Sequence, residues 1–339
     1  MSSHALVSSV SIRRWLLSIE TLVILMVVIG GITRLTQSGL SVVKWNLIMG
    51  SLPPLSLAAW THAFDQYKQF PQYQIMNLGM TLAEFKGIFF WEYFHRLVGR
   101  LAGLVILLPY AYFLFKKKLS PTLIRCGAGI GALVIAQGMM GWIMVASGLV
   151  DRPSVSHFRL TAHLLLAFLL YLAAFMTRKL VVENPVRTTP QPKFRSALKI
   201  LVLLAVLQIV FGAFVAGMKA GLIMNTFPKM GGAWIPPGLL ALTPIWANPL
   251  HNPIMTQWLH RLLGISLLIA AWGITWIAFI QSTTKPFRQS LLALSALVLG
   301  QVGLGIVTLV FSVPIPIAIL HQVLALFILR QTVWIYSRF

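Results

Sequence analysis

The sequence predicts an all-α polytopic membrane protein of eight transmembrane helices, arranged as two tandem four-helix bundles. Three observations carry this. Of 339 residues, 58% are hydrophobic and 10% charged, and the mean hydropathy is +0.84, the balance of a chain that is membrane-embedded throughout. Eight apolar segments reach the roughly 17 to 25 residues that a bilayer crossing needs. The two halves also resemble each other, which points to an internal duplication.

Taken in order, the first span at about 14–33 follows Arg13 and Arg14. The second, about 88–115, opens on the stretch WEYFHRLVGR (91–100) and stops at Lys116, Lys117 and Lys118. The third lies at about 122–146 and the fourth at about 158–178, closed by Arg178 and Lys179. A polar, proline-bearing inner linker, VVENPVRTTPQPKFR at 181–195, separates an N-terminal bundle, 1–180, from a C-terminal bundle, 196–339. The last four spans fall at about 197–218, 254–281, 288–311 and 315–336. Long connections at 34–87 and 219–253 are rich in Gly, Pro and Trp. The first contains SLPPLSLAAWTHAFDQYKQFPQYQ, expected to form short helices on the membrane surface, as a cover over the helix ends or as a connector.

The net charge of +21 does not indicate nucleic acid, because the basic residues are scattered in short clusters between apolar spans. One side receives Arg13, Arg14, Lys116 to Lys118, Arg125, Arg178, Lys179, Arg187, Lys193, Arg195, Lys199, Lys285, Arg288, Arg330 and Arg338. The other receives fewer, including Arg34, Lys44, Lys68, Lys86, Arg152, Lys219 and Lys229, and also Asp65, Glu84 and Asp151. Both termini are therefore expected in the cytoplasm, and a bacterial inner membrane fits best. The lone Cys126 is expected to be a small apolar filler.

The repeat is specific in register. HRLVGRLAGL (95–104) resembles HRLLGISLLI (260–269), and QGMMGWIMVASGL (137–149) resembles QVGLGIVTLVFSV (301–313), at offsets of 165 and 164 residues. Units with an even number of helices repeat in parallel.

Of eight histidines, His95, His163, His260 and His321 fall in the second, fourth, sixth and eighth spans, at similar depth near their outer ends. An ionisable residue in a span marks a functional site. Two opposed imidazoles in each four-helix core suit bis-histidine haem ligation, whereas zinc prefers three or four ligands. His4, His62 and His251 lie in the tail and loops, and His157 is turned about 240° from His163, off the ligand face.

Glu92 stands three residues before His95 and shares its helix face, with Arg96 and Arg100 as candidate cationic partners. Aligning the halves sets Glu92 against Gln257 while keeping the following arginine as Arg261. The acid in one half only points to chemistry in the N-terminal half and a structural or electron-carrying haem in the other.

At these residues the chain resembles the haem A synthase family, in its proteobacterial and mitochondrial branch. The matching motifs are GGITRLTQSGLSVVKW (30–45), the PP turn at 53–54, YKQFPQY (67–73), MTLAEFKGIFFWEYFHRLVGR (80–100) and the histidines in TAHL, WLHR and LHQ. The resemblance implies oxidation of a methyl side group of haem O to the formyl group of haem A by successive hydroxylations, for cytochrome oxidase. It implies haem b held by His260 and His321, a substrate haem between His95 and His163, and Glu92 as the catalytic carboxylate. Arg96, Arg100 and Arg261 are candidates to neutralise haem propionates or to sit at the lipid boundary. The other branch of the family carries a cysteine pair in its first outer loop, and this chain has no cysteine there. Expected partners are haem O, an unidentified electron acceptor, haem O synthase, oxidase assembly factors and lipid. Glycine-rich spans such as GAGIGALVIAQGMMG (127–141) allow close packing within one chain or between copies in a homo-oligomer.

Two rival functions are weaker. An electron-transfer cytochrome with two b haems leaves the Glu92 and Gln257 difference unexplained. A transporter with paired repeats requires broken helices and polar residues at mid-depth.

Overall fold

The computed structural model describes residues 3–44, 52–150, 153–182 and 192–339. Trp45, Asp151, Arg152 and positions 183–191 of the expected linker, with Arg187, lie outside the described residues. Among the described residues, eight helices are long and apolar enough to cross a membrane, and the protein is an all-helical polytopic membrane protein. They are α1 (Ser3–Leu35), α4 (Leu82–Phe115), α5 (Pro121–Ala146), α6 (His157–Val182), α7 (Pro192–Gly217), α9 (Pro253–Ile280), α10 (Lys285–Val310) and α11 (Ile315–Arg338). Short helices α2 (Leu57–Tyr67), α3 (Pro71–Met76) and α8 (Asn248–His251) occupy the long connections.

Local chemistry explains the boundaries. Proline in the first turn starts α5, α9, α10 and α11, where its missing N–H has no partner to lose. Ser120 and Asn252 cap α5 and α9 with their side-chain oxygens. The ends of α4 and α9 match: Lys117 and Ser282, 165 positions apart, both adopt left-handed backbone at φ 50° and 47°. The next amide in each case returns to a carbonyl five residues back, Lys118 to Phe113 and Thr283 to Ala278.

The chain divides into two compact units, Met1–Asn184 and Pro185–Phe339. In the first, α1 packs on α4 and α6, and α5 packs on α4 and α6, which makes α4 and α6 diagonal corners of a four-helix ring. Trp15 joins α1 to α4 by donating to the Val105 carbonyl at 3.1 Å and stacking on Tyr110. Glu20 on α1 accepts from Arg178 on α6 at 2.5 and 3.1 Å, with the carboxylate only 5% exposed. α2 packs on the start of α4 through Trp60, Phe64, Tyr67, Phe85 and Phe89.

The second unit repeats the ring. Here α7 packs on α9 and α11, α10 packs on α9 and α11, and α9 and α11 are the diagonal pair. Apolar side chains such as Leu17, Leu104, Leu108, Leu169, Ile269 and Trp276 stay exposed, the surface that lipid covers.

One boundary is corrected: the second span, expected from about 88, begins at Leu82, so that His95 is thirteen residues inside α4, whereas His163 and His321 lie six inside α6 and α11 and His260 seven inside α9. A capping box formed by Thr81 and Glu84 starts α4 early, and the added residues carry Phe85 into the aromatic layer against Phe64 and Tyr67 of α2.

Candidate functional site

Each of the four span histidines rests on a glycine of the preceding long helix. A Cβ on Gly30 of α1 would lie 3.1 Å from His95 Cε1, and one on Gly141 of α5 would lie 3.2 Å from His163 Cε1. In the second unit, Gly212 of α7 and Gly305 of α10 stand in the same relation to His260 and His321, at 2.9 and 3.0 Å. Only a residue without a side chain lets an imidazole approach so close to a neighbouring helix.

The diagonal corners bring the histidines of each unit toward one another. His95 and His163 stand on the diagonal pair α4 and α6, and the ring centres of His260 and His321, on α9 and α11, are 6.4 Å apart at 79°. Two nitrogens each about 2 Å from one metal ion place the ring centres roughly 6 Å apart, so the observed separation fits a shared metal. All four Nδ1 atoms are buried without a hydrogen-bond partner, although the rings themselves are only half-buried. Among the described residues no group of three or more His, Cys, Asp or Glu could hold a metal ion, so each site offers two protein ligands, the number haem iron needs axially. The residues present therefore fit a haem in each unit.

A third element was not singled out at the sequence level. Gln137, Gln208 and Gln301 sit four residues before the cradling glycines Gly141, Gly212 and Gly305. Their amide nitrogens stand 3.3, 3.4 and 3.5 Å from the Nε2 atoms of His163, His260 and His321. Gln301 also donates to the His321 carbonyl at 3.0 Å. The pattern Q-x-x-x-G, three times over, was the available signal.

Glu92 is 2% exposed and fully engaged. Its Oε2 accepts from the Ser41 hydroxyl at 2.8 Å and the Val42 amide at 2.7 Å, and its Oε1 from Arg96 at 2.5 Å. Of the two candidate cations, the one that meets Glu92 is Arg96, which also donates to the Val42 and Lys44 carbonyls. Arg100 stands one turn further along α4. Gln257 is buried and donates to the Met224 carbonyl at 3.3 Å, with its Oε1 unpartnered, and Arg261 donates to the carbonyls of Met224 and Thr226. Ser41 and Val42, in the loop after α1, are the site contacts least visible from spacing, because they reach Glu92 across about fifty residues.

The other histidines stand apart from this arrangement. His62 pairs with Gln66 on α2, His157 packs at a tilt against Phe158 at the start of α6, and His251 ends α8. His4 lies outside the described side chains.

Fold and site together define a polytopic helical membrane protein with two imidazole pairs, each cradled on glycine across a four-helix ring. Residues 13–333 match the cytochrome oxidase assembly protein family COX15-CtaA, and the chain belongs to that family. It is 44% identical over 324 residues to the heme A synthase of Rhodospirillum centenum, spanning 94% of this chain and 86% of that one. It is also 44% identical over 329 residues to the heme A synthase of Nitrosospira multiformis, spanning 95% and 91%. The heme A synthase of Ehrlichia canis is 41% identical over 318 residues, 93% of this chain and 89% of the relative.

Proposed function

We propose that the protein is a haem A synthase, an oxidoreductase that converts the methyl side group of haem O to the formyl group of haem A through hydroxylated intermediates, for cytochrome oxidase assembly. The observation that carries this is the pairing of two glycine-cradled imidazole pairs with a buried acid in one unit only. Family membership and the shared name of the relatives support it.

In this reading His95 and His163 hold the substrate haem, and His260 and His321 hold a resident haem b. A haem b there would supply one-electron chemistry. Glu92 would take a proton from the reacting centre at Oε1, the oxygen whose single donor, Arg96, has the Val42 and Lys44 carbonyls to fall back on. Ser41 and Val42 would keep the carboxylate aimed through Oε2. Arg96, Arg100 and Arg261 lie within a turn or so of the ligands and are suited to haem propionates. The matched cradles and the shared ends of α4 and α9 support an internal duplication. The placement of basic residues supports cytoplasmic termini in a bacterial inner membrane, with the histidine pairs toward the outer face. An electron acceptor, haem O synthase and oxidase assembly factors are the partners this reading requires.

The likeness of the two pairs favours a second reading, an electron-transfer cytochrome with two b haems. Acid-acetone extraction of haems from protein made in cells that produce haem O separates the two. Haem b with haem O, haem A or a hydroxylated intermediate in wild type, and arrest at the substrate in Glu92→Gln, is the expected result. Haem b alone from both proteins would overturn the synthase.

A further inference from the structure

The connection between α7 and α9 is built inside out for a loop that meets water. Between Lys229 and Arg261 the sequence holds no Asp, Glu, Lys or Arg, and the titratable side chains there are His251 and His260 alone. Its amide side chains turn inward. Asn248, fully buried, donates to the Leu242 and Ile245 carbonyls at 2.9 and 3.0 Å and accepts from the Leu242 amide at 3.0 Å. Asn252, also buried, donates to the Gly238 carbonyl at 2.8 Å and to Asn248 Oδ1 at 2.9 Å. Pro236, Pro237, Pro244, Pro249 and Pro253 have no N–H to satisfy. The apolar side chains face out instead: Trp234, Ile235, Leu240, Ile245 and Trp246 are each more than half exposed. Water would serve the carbonyls and penalise those side chains, whereas lipid accepts the side chains and requires the protein to serve its own backbone.

The loop also reaches the right depth. Trp258 of α9 donates through Nε1 to the Trp234 carbonyl at 3.1 Å, and a Cβ on Gly238 would lie 3.2 Å from Ile254 Cδ1. The segment therefore runs back along the first turns of α9 as far as Trp258, five residues past Pro253 and about 7 Å along the axis. The 28 residues of α9 extend about 42 Å, against a hydrocarbon core of about 30 Å. A centred crossing leaves about 6 Å at each end, which puts Trp234 and Trp258 at the hydrocarbon boundary, where tryptophan collects. Below them the exposed apolar surface continues down α9 as Leu262, Ile265 and Ile269.

We propose that residues 234–246 are a membrane-seated foot, inserted among the lipids of the leaflet at the histidine ends of the helices, with Trp234, Ile235, Ile245 and Trp246 in contact with acyl chains. A protein partner fits less well, because a docking face carries a polar rim and this stretch has no charge to form one. The connection in the first unit differs: over residues 57–86 it bears Asp65, Lys68, Glu84 and Lys86. The foot belongs to the second unit.

Spin labels test this in full-length protein held in lipid nanodiscs. With the native thiol removed by Cys126→Ser, single labels would be placed through Ile235→Cys and Trp246→Cys, with Ile269→Cys as the lipid reference and Lys118→Cys, in the exposed turn after α4, as the water reference. Power saturation reads collision of each label with oxygen, which concentrates in lipid, and with a water-soluble nickel chelate. The oxygen-to-nickel ratio at 235 and 246 is expected to stand several-fold above that at 118 and close to that at 269. A ratio as low as at 118 would place the segment in water, and shielding from both reagents would place it under protein; either overturns the proposal. Wild type in nanodiscs doped with a phospholipid bearing a diazirine on its acyl chain gives a check free of substitutions. Adducts are expected on peptides covering 234–246 as well as on α9, and adducts on α9 without them would overturn the proposal.

Discussion

Arg96 and Arg261 hold their loops in the same way: the first donates to the carbonyls of Val42 and Lys44 at 2.8 and 3.4 Å, the second to those of Met224 and Thr226 at 2.9 and 2.8 Å. The units part company one turn earlier, where Glu92 accepts from its loop and Gln257 donates to its own. An acceptor between a guanidinium and a backbone amide is a tight clamp, since hydrogen bonds to charged groups exceed neutral ones.

The clamp predicts measurable coupling. In a double-mutant cycle of Glu92→Gln and Arg96→Gln, followed by thermal unfolding in detergent, the coupling energy should be about 1–3 kcal/mol. Additive single effects would show that the pair does not hold the loop.

The glycine cradles predict a contrast between positions. Gly212→Ala puts a methyl 2.9 Å from His260 Cε1, and Gly305→Ala puts one 3.0 Å from His321 Cε1, so each should cut the haem held by that pair several-fold. Gly103→Ala on α4 meets nothing within 4 Å and should be neutral or stabilising by about 0.5–1 kcal/mol, the gain of replacing a helical glycine. Pyridine haemochrome content and melting temperature distinguish the two classes. Equal haem loss at all three positions would contradict the cradle.

The ion pair between Glu20 and Arg178 should be costly to break and cheap to replace. Arg178→Met leaves a carboxylate that is 5% exposed without its partner and should destabilise by roughly 3–5 kcal/mol, whereas Glu20→Leu with Arg178→Met should recover most of that. Melting of the single and double variants decides it; a double variant as unstable as the single would show that packing, not charge, is at stake.

Tyr67 provides a pH dependence outside the spans. Burial raises its phenol above the ordinary value near 10, and the neutral hydroxyl donates to Gln72 at 3.0 Å while accepting from Asn77 at 2.7 Å. The folded state thus holds the proton more tightly than the unfolded chain. Its contribution is fully present below about pH 10 and is lost as pH rises through the folded value. Melting temperature should fall more steeply above about pH 10 in wild type than in Tyr67→Phe. Parallel slopes would remove Tyr67 as the cause.

Much of the molecule was legible in the chain. A bilayer leaves backbone groups no partner but their own helix, so length and apolarity determined eight spans by themselves, and charge rarity in those spans singled out Glu92 and the four histidines. The repeat offset aligned His95 with His260 and Glu92 with Gln257. What spacing could not supply was which helices are diagonal, and therefore that α4 faces α6 and α9 faces α11. Nor could it choose Arg96 over Arg100 for Glu92, recruit Ser41 and Val42 from a distant loop, or show that each Q-x-x-x-G places an amide against an imidazole. The physical reason is range: helix formation and membrane insertion depend on neighbours along the chain, whereas the pairing, cradling and bracing of a ligand depend on side chains that only packing between helices brings within a few ångströms.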